Sequence, residues 1–378
     1  MGTVALSAMA LSLALGFRDH GASTIEVDEV CVSQAPPPRV VLITLDGVRW
    51  QDVYEGTDPA LLASSGRGAA PATAAELTPN IHELIRRGAA LGAPGHGAAF
   101  SSSGPNFVSL PGYREILSGS PATCQENDCT ELPSFTLLDG FAARFPSSRV
   151  AAFSSWTNIE HAAASSDSAA IVSAGRSGGL TRGALSADPD LRAILEEGAA
   201  GSADPVGGDY RSDENTARLA LAYLASQSPA FMFVSLGDAD EHAHHGDYKS
   251  YLGALKKADA FVGDVIRESD AARAHGIETM IIVTADHGRS DDFMHHGRDW
   301  PESARNWLVA AGGPVPEAGY VSLASPRALR DIAPTIAAVT GIEIEMTESS
   351  GTVLHELAPM CAPVAGRAHA PRLEIDRS

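Results

Sequence analysis

The sequence predicts an α/β fold with a mostly parallel central sheet and helices on both faces, and three observations carry that expectation. Short apolar runs rich in β-branched residues recur at Arg39–Leu45, 150–153, Phe231–Leu236 and 280–284. Helical patterns separate them, notably 78–88 with its Pro79, 213–226, 248–274 and 329–339. Acidic residues stand at or just beyond the ends of three of the runs: Asp46, Asp238 with Asp240, and Asp286. Strands buried on both faces read as continuous apolar runs, and strand, helix, strand in order favours parallel neighbours joined by crossovers.

The chain opens with an apolar stretch at 4–17 that has the length of a signal-peptide core and is too short to span a bilayer. No Lys or Arg precedes it within the given sequence, yet the pattern favours a periplasmic or secreted protein without a transmembrane anchor. Together with Pro36, Pro37 and Pro38 it forms a leader and connector over 1–38, ahead of a single main domain at 39–361 and a flexible tail at 362–378. Stretches 56–75 and 164–208 are rich in Gly, Ala, Ser and Pro and read as loops or inserted lids. Cys124 and Cys129 bracket a short polar loop that could close as a disulfide, which leaves Cys31 and Cys361 as a terminal clasp. No CxxC pair occurs, so a cysteine-ligated zinc site is not expected.

Charge excludes some partners. With 47 acidic and 27 basic residues the formal net charge is −20, and no basic run interrupts it. Nucleic acid and anionic membrane surfaces are therefore unexpected partners. The chemistry concentrates elsewhere: six of the thirteen histidines fall in Asp240-Glu241-His242-Ala243-His244-His245, in Asp286-His287-Gly288 and in His295-His296-Gly297. Imidazole and carboxylate are the ligands of borderline divalent ions such as Zn²⁺. In open α/β sheets ligands bind outside the carboxyl ends of the strands, so segments far apart in sequence can meet at one site. A single acidic residue after a strand is usually a helix cap, but three with histidines beside them are not well explained that way.

Four segments in this order resemble the alkaline phosphatase superfamily, and more closely its type I phosphodiesterase/nucleotide pyrophosphatase and phosphatase branches than its sulfatases. They are Leu45-Asp46-Gly47, Ser109-Leu110-Pro111-Gly112-Tyr113, Asp240 to His244, and Ala285-Asp286-His287-Gly288 followed by His296-Gly297. Asp331-Ile332-Ala333-Pro334-Thr335 looks like the closing helix of that family. The resemblance implies an alkaline-phosphatase-type catalytic domain with two Zn²⁺ sites, other divalent ions being compatible with the same ligand types. One site would use Asp240, His244 and His296, the other Asp46, Asp286 and His287 with Ser109. It further implies hydrolysis of a small-molecule phosphate ester through a zinc-activated Ser109 and a phosphoseryl intermediate. Ser109 also sits where a helix should begin with Pro just inside, a position whose amides and dipole favour phosphate.

Within the family pattern, spacing selects His244 over His242 and His245, and the following glycine selects His296 over His295; these neighbours and Asp238 would then surround the ligands. Asn106 and Asn127 are candidate substrate-binding donors to phosphate oxygens. The arginine that sulfatases carry four residues after their modified residue is replaced by Tyr113, with Arg114 one place late. No Lys-x-Arg pair of the phosphomonoesterase kind occurs in Ser155-Trp156-Thr157-Asn158. Phosphodiester or nucleotide pyrophosphate is therefore favoured over monoester, with Arg49 and Arg298 as other sources of positive charge. The alternatives are a phosphomonoesterase, a sulfatase-like hydrolase, a phospho-group transferase, or an inactive zinc-stabilised binding protein.

Overall fold

The computed structural model describes residues 36–65, 70–179, 185–201 and 207–358. Its eleven strands are β1 Arg39–Leu45, β2 Gly88–Leu91, β3 Phe100–Ser101, β4 Val150–Ser154, β5 Ile171–Ala174, β6 Phe231–Leu236, β7 Thr279–Thr284, β8 Arg305–Asn306, β9 Leu308–Ala311, β10 Gly319–Tyr320 and β11 Arg327–Ala328. Eight of them form one sheet in the order β10-β2-β9-β7-β1-β6-β4-β5. β9 is antiparallel to both its neighbours and every other pairing is parallel. β11, β3 and β8 make a second, small sheet.

The apolar runs predicted the centre of the sheet because a strand covered on both faces has nowhere to put a polar side chain. All seven residues of β1 are buried. Its alternate side chains enter two separate cores: Val41, Ile43 and Leu45 pack on one face, Val40 and Leu42 on the other. β6 and β7 divide in the same way. The long helix Tyr248–Arg273, with Pro79–Arg87 and Asp213–Gln227, covers the first face. Ser109–Ser118, Leu137–Arg144 and Ile332–Thr340 cover the second.

Two expectations need correction. The stretch 164–208 is not simply loop: it contains β5, the edge strand parallel to β4, and the helix Pro189–Ala200. In 56–75, the helix Pro59–Ser64 forms, and Ala74–Leu77 starts another. Small residues concealed these elements, although the Asp-Pro pairs marked two helix starts. Asp58 and Asp188 each accept backbone N–H groups of the first turn, with Pro at the following position. The segment expected as a helix at 329–339 begins with a 3₁₀ turn, Leu329–Asp331, before α-helix Ile332–Thr340. Cys124 and Cys129 do form a disulfide. The leader at 4–17, Cys31, Cys361 and the tail at 362–378 lie outside the described residues.

Candidate active site

The three acid-bearing turns meet because β7, β1 and β6 are consecutive in the sheet. Asp46 follows β1, Asp238 and Asp240 open the helix Asp238–His244 after β6, and Asp286-His287 follow β7. Two groups of donor atoms result, Asp240–His244–His296 and Asp46–Asp286–His287, each with its atoms within 4.8 Å of one another. These are the residues expected for the two metal sites, and the adjacent histidines stay out of both. His245 is exposed and turns Nδ1 to the Glu241 carbonyl at 2.8 Å; His295 pairs with Asp292 at 2.6 Å and stacks on Trp300. Asp238 accepts Tyr210 O–H at 2.9 Å and the Asp213 amide at 3.3 Å.

Backbone carbonyls orient the two inner rings. His287 Nδ1 lies 2.8 Å from the Gly288 oxygen and His296 Nδ1 lies 2.9 Å from the Phe107 oxygen. A carbonyl only accepts, so Nδ1 carries a proton, and each ring when neutral turns an Nε2 lone pair inward. The two rings stack 3.9 Å apart, and His296 Nε2 stands 3.0 Å from His244 Nε2. Asp286 accepts the Gly47 amide at 3.1 Å through Oδ1, while its buried Oδ2 has no hydrogen-bond partner. A buried carboxylate oxygen without a hydrogen bond, 3.4 Å from His287 Nε2, belongs to a donor set suited to a cation. Gly47 has φ +58, and a Cβ there would strike Asp240 Oδ1 and the Arg289 guanidinium, so this turn needs glycine on two counts.

Ser109 is the first residue of its helix and is buried. Its Oγ lies 3.4 Å from Asp46 Oδ1 and 3.3 Å from His287 Nε2. Gly112 lets the helix come this close, since a Cβ there would run into the Asp286 backbone. Asp46 is aimed by a residue of the Ser109 segment to which the sequence assigned no role at the site: Tyr113 donates to its Oδ2 at 2.7 Å and accepts from Ser235 Oγ at 2.8 Å. Arg289 is the second omission. Its buried guanidinium binds Asp240 Oδ1 and the carbonyls of Phe293 and Met294. A sequence signal was present, an arginine three residues after the third strand-end acid, but arginine is too common for it to stand out.

The disulfide loop presses on the same helix. Asn127 Oδ1 accepts the Leu110 amide at 2.9 Å, so its side-chain N–H₂ group takes no part in that bond. Asn106 does not fill the role expected of it. Its N–H₂ donates to the Gln125 carbonyl at 2.7 Å and to Glu126, and its Oδ1 accepts the Arg298 amide at 2.8 Å. It fastens two loops together instead. Arg49, one of the arginines considered for phosphate charge, is buried in an ion pair with Asp52, and Arg298 is exposed and paired with Glu126.

Crowded charge shifts the metal-free site strongly. Burial, then the adjacent Asp46, pushes the Asp286 carboxyl well above its ordinary value. Burial would lower His287, but Asp286, Asp46 and Asp240 outweigh it and raise the ring to about 9. Burial and the neighbouring His287 take His296 down to about 2. Burial opposes ionisation of Asp240, yet Arg289 and His244 hold its carboxyl well below the usual range. The raised His287 stabilises the metal-free fold below an unfolded-state value of roughly 6.5, and this contribution is lost as pH rises through about 9. The melting temperature of chelator-treated protein should therefore fall between about pH 6.5 and 9. A scan showing a rise over that window would contradict the charge arrangement described.

Comparison with solved structures places the fold in a known architecture. The chain aligns with wild-type alkaline phosphatase PafA at a TM-score of 0.54 and 10% identity, covering 86% of this chain and 100% of that one. The fold is that of the alkaline phosphatase superfamily. The phosphonate monoester hydrolase of Agrobacterium radiobacter aligns equally well, at TM-score 0.54 and 16% identity over 86% of this chain and 78% of the other. A 2-O GAG sulfatase follows at 0.51 and 15%, over 84% and 73%. In sequence, residues 186–343 match the Metalloenzyme superfamily model. Two relatives are 2,3-bisphosphoglycerate-independent phosphoglycerate mutases. That of Rhodopirellula baltica is 31% identical over 147 residues, 36% of this chain and 25% of its own length. That of Halobacterium salinarum is 28% identical over 123 residues, 32% and 23%. The chain thus spans about a quarter of the length of these curated relatives. No helix among the described residues is long and apolar enough to cross a membrane.

Proposed function

We propose that this alkaline-phosphatase-type fold hydrolyses phosphate esters with Ser109 as nucleophile and two divalent cations, zinc by preference, held by Asp240–His244–His296 and by Asp46–Asp286–His287. The observation that carries the reading is the position of the Ser109 hydroxyl at a helix N-terminus, between Asp46 and His287, whose Nε2 also lies 3.4 Å from Asp286 Oδ2. Cations bound there would lower the pKa of the serine hydroxyl and balance charge on the departing oxygen. The protein's own groups do the rest. Tyr113 holds Asp46 with one oxygen toward Ser109, the dipole at the start of the helix favours an anionic phosphate, and Asn127 offers its N–H₂ group to a phosphate oxygen. Ser109 Oγ attacks phosphorus as the ester oxygen leaves, giving a phosphoserine that water then opens. The three histidines favour zinc over calcium or manganese.

Diesters and nucleotide pyrophosphates fit better than monoesters because a monoester brings an extra negative charge. The guanidiniums on the surrounding segments are engaged: Arg49 with Asp52, Arg289 with Asp240, and Arg114 with the carbonyls of His161 and Glu131. The engagement of Arg114 also speaks against a sulfatase. A second reading, transfer of the phosphoryl group from Ser109 to another hydroxyl, is favoured by the mutase relatives. Zinc-loaded protein should turn over bis-p-nitrophenyl phosphate at least about tenfold faster in kcat/KM than p-nitrophenyl phosphate, with p-nitrophenyl sulfate slowest; tenfold corresponds to about 1.4 kcal/mol of transition-state discrimination. A monoester preference would move the assignment to phosphatase. Product phosphate captured by an added alcohol in large excess over water capture would favour transferase. Failure of all three under metal-replete conditions would favour a zinc-stabilised binding protein.

A further inference from the structure

Within the exposed run 291–295, Phe293 alone is buried, with 1% of its surface exposed. Its backbone is left-handed, φ +72, a conformation that a bulky residue rarely adopts. Such strain persists only where the surroundings impose it. Here they do so on both sides of the residue. The ring enters edge-on between Tyr248 and Tyr251, 5.1 Å from each centroid at 85° and 88°, and the two tyrosines stack on one another 5.7 Å apart. The Arg49 guanidinium, paired with Asp52, lies 5.3 Å from the Phe293 centroid. Edge-to-face rings and a cation near a ring are favourable arrangements, so the pocket selects an aromatic side chain.

While the ring points inward, the Phe293 carbonyl accepts Arg289 Nε at 2.6 Å and the next carbonyl, Met294, accepts Nη2 at 2.7 Å. The remaining arm of the same guanidinium binds Asp240 Oδ1. Three residues beyond Phe293 comes His296, facing His244. The left-handed turn thus satisfies two demands together: it seats the ring and it presents two successive carbonyls to Arg289.

We propose that Phe293 is a positioning residue for the Asp240–His244–His296 group, its ring anchoring the loop that delivers His296 and that orients Asp240 through Arg289. The inference rests on the metal-dependent reading above and goes beyond it, since Phe293 supplies none of the donor atoms. The tyrosine clamp also reaches the other donor group. Tyr251 accepts the Arg49 amide at 3.1 Å, three residues after Asp46, so one aromatic platform braces the segments behind both groups.

Phe293→Leu, which keeps an apolar side chain but removes the ring, tests this. Full-length protein is loaded with zinc, dialysed and assayed by elemental analysis, with zinc titrations followed by turnover of bis-p-nitrophenyl phosphate. Outer partners of metal ligands are worth about 10–100-fold in affinity. The variant should lose about that factor at one of two sites, keep one zinc where the parent keeps two, and recover turnover as zinc is raised. Phe141→Leu is the control for a purely structural effect, because Phe141 is equally buried in the core on the opposite face of the sheet. It should lower the melting temperature without changing zinc affinity. Phe293→Leu retaining two zinc ions at parental affinity would overturn the proposal, even if its melting temperature fell as in the control. Parent protein binding fewer than two zinc ions would instead be a failure of the two-metal reading. If Phe293→Leu does not fold, Phe293→Met, whose unbranched chain adapts to the same space, is read in the same way.

Discussion

Ser109→Ala is expected to lower phosphodiester turnover by at least about 1,000-fold while leaving zinc content and melting temperature close to the parent values. The asymmetry follows from where the hydroxyl sits. Its two contacts, 3.4 Å to Asp46 and 3.3 Å to His287, are long, so their loss contributes little to folding. Six Asp and His side chains supply the remaining donors without it. The helix start also survives, because the Leu110 amide is bound by Asn127 rather than by Ser109. Turnover therefore reports the nucleophile alone. Rates near those of the parent would mean that the attacking oxygen belongs to something other than Ser109, and labelling the protein with a phosphoryl group at another residue would identify it.

His296→Ala carries the second large effect, and its value lies in comparison with His295→Ala. Outer partners of metal ligands already influence affinity by about 10–100-fold, so removing a ligand should cost more than about 100-fold. Elemental analysis after dialysis should show one zinc lost per chain in His296→Ala, with turnover reduced to match. His295→Ala should keep both ions, since that ring is exposed and engaged with Asp292 and Trp300. The reverse outcome would show that the loop presents the other histidine to the metal. Chelation should inactivate the parent reversibly, because both groups depend on deprotonated donors gathered by the fold. A rate unchanged after verified metal removal would end the two-metal reading altogether.

The centre of the sheet was readable because burial on both faces leaves a strong local trace. β1 and β6 fall at the residues the apolar runs indicated, and the Ser109 helix begins where expected. The edge was less readable: β5 spans only four residues within a Gly- and Ser-rich stretch, too short a run to stand out from the small residues around it. Asn106 shows a different limit. An amide near a nucleophile looks like a substrate donor until the loop carrying Gln125 and Glu126 is seen to occupy it.

By itself, then, the sequence determined the chemical kinds of donor available, their attachment to strand ends, and the parallel core that brings such ends together, since these follow from residue type and local periodicity. The tertiary structure alone decided that Tyr113 aims Asp46, that Arg289 grips Asp240, and that Phe293 is driven into a left-handed turn between two tyrosines. Each of those roles is a contact across tens of residues, and a contact of that span leaves no periodic mark on the chain that makes it.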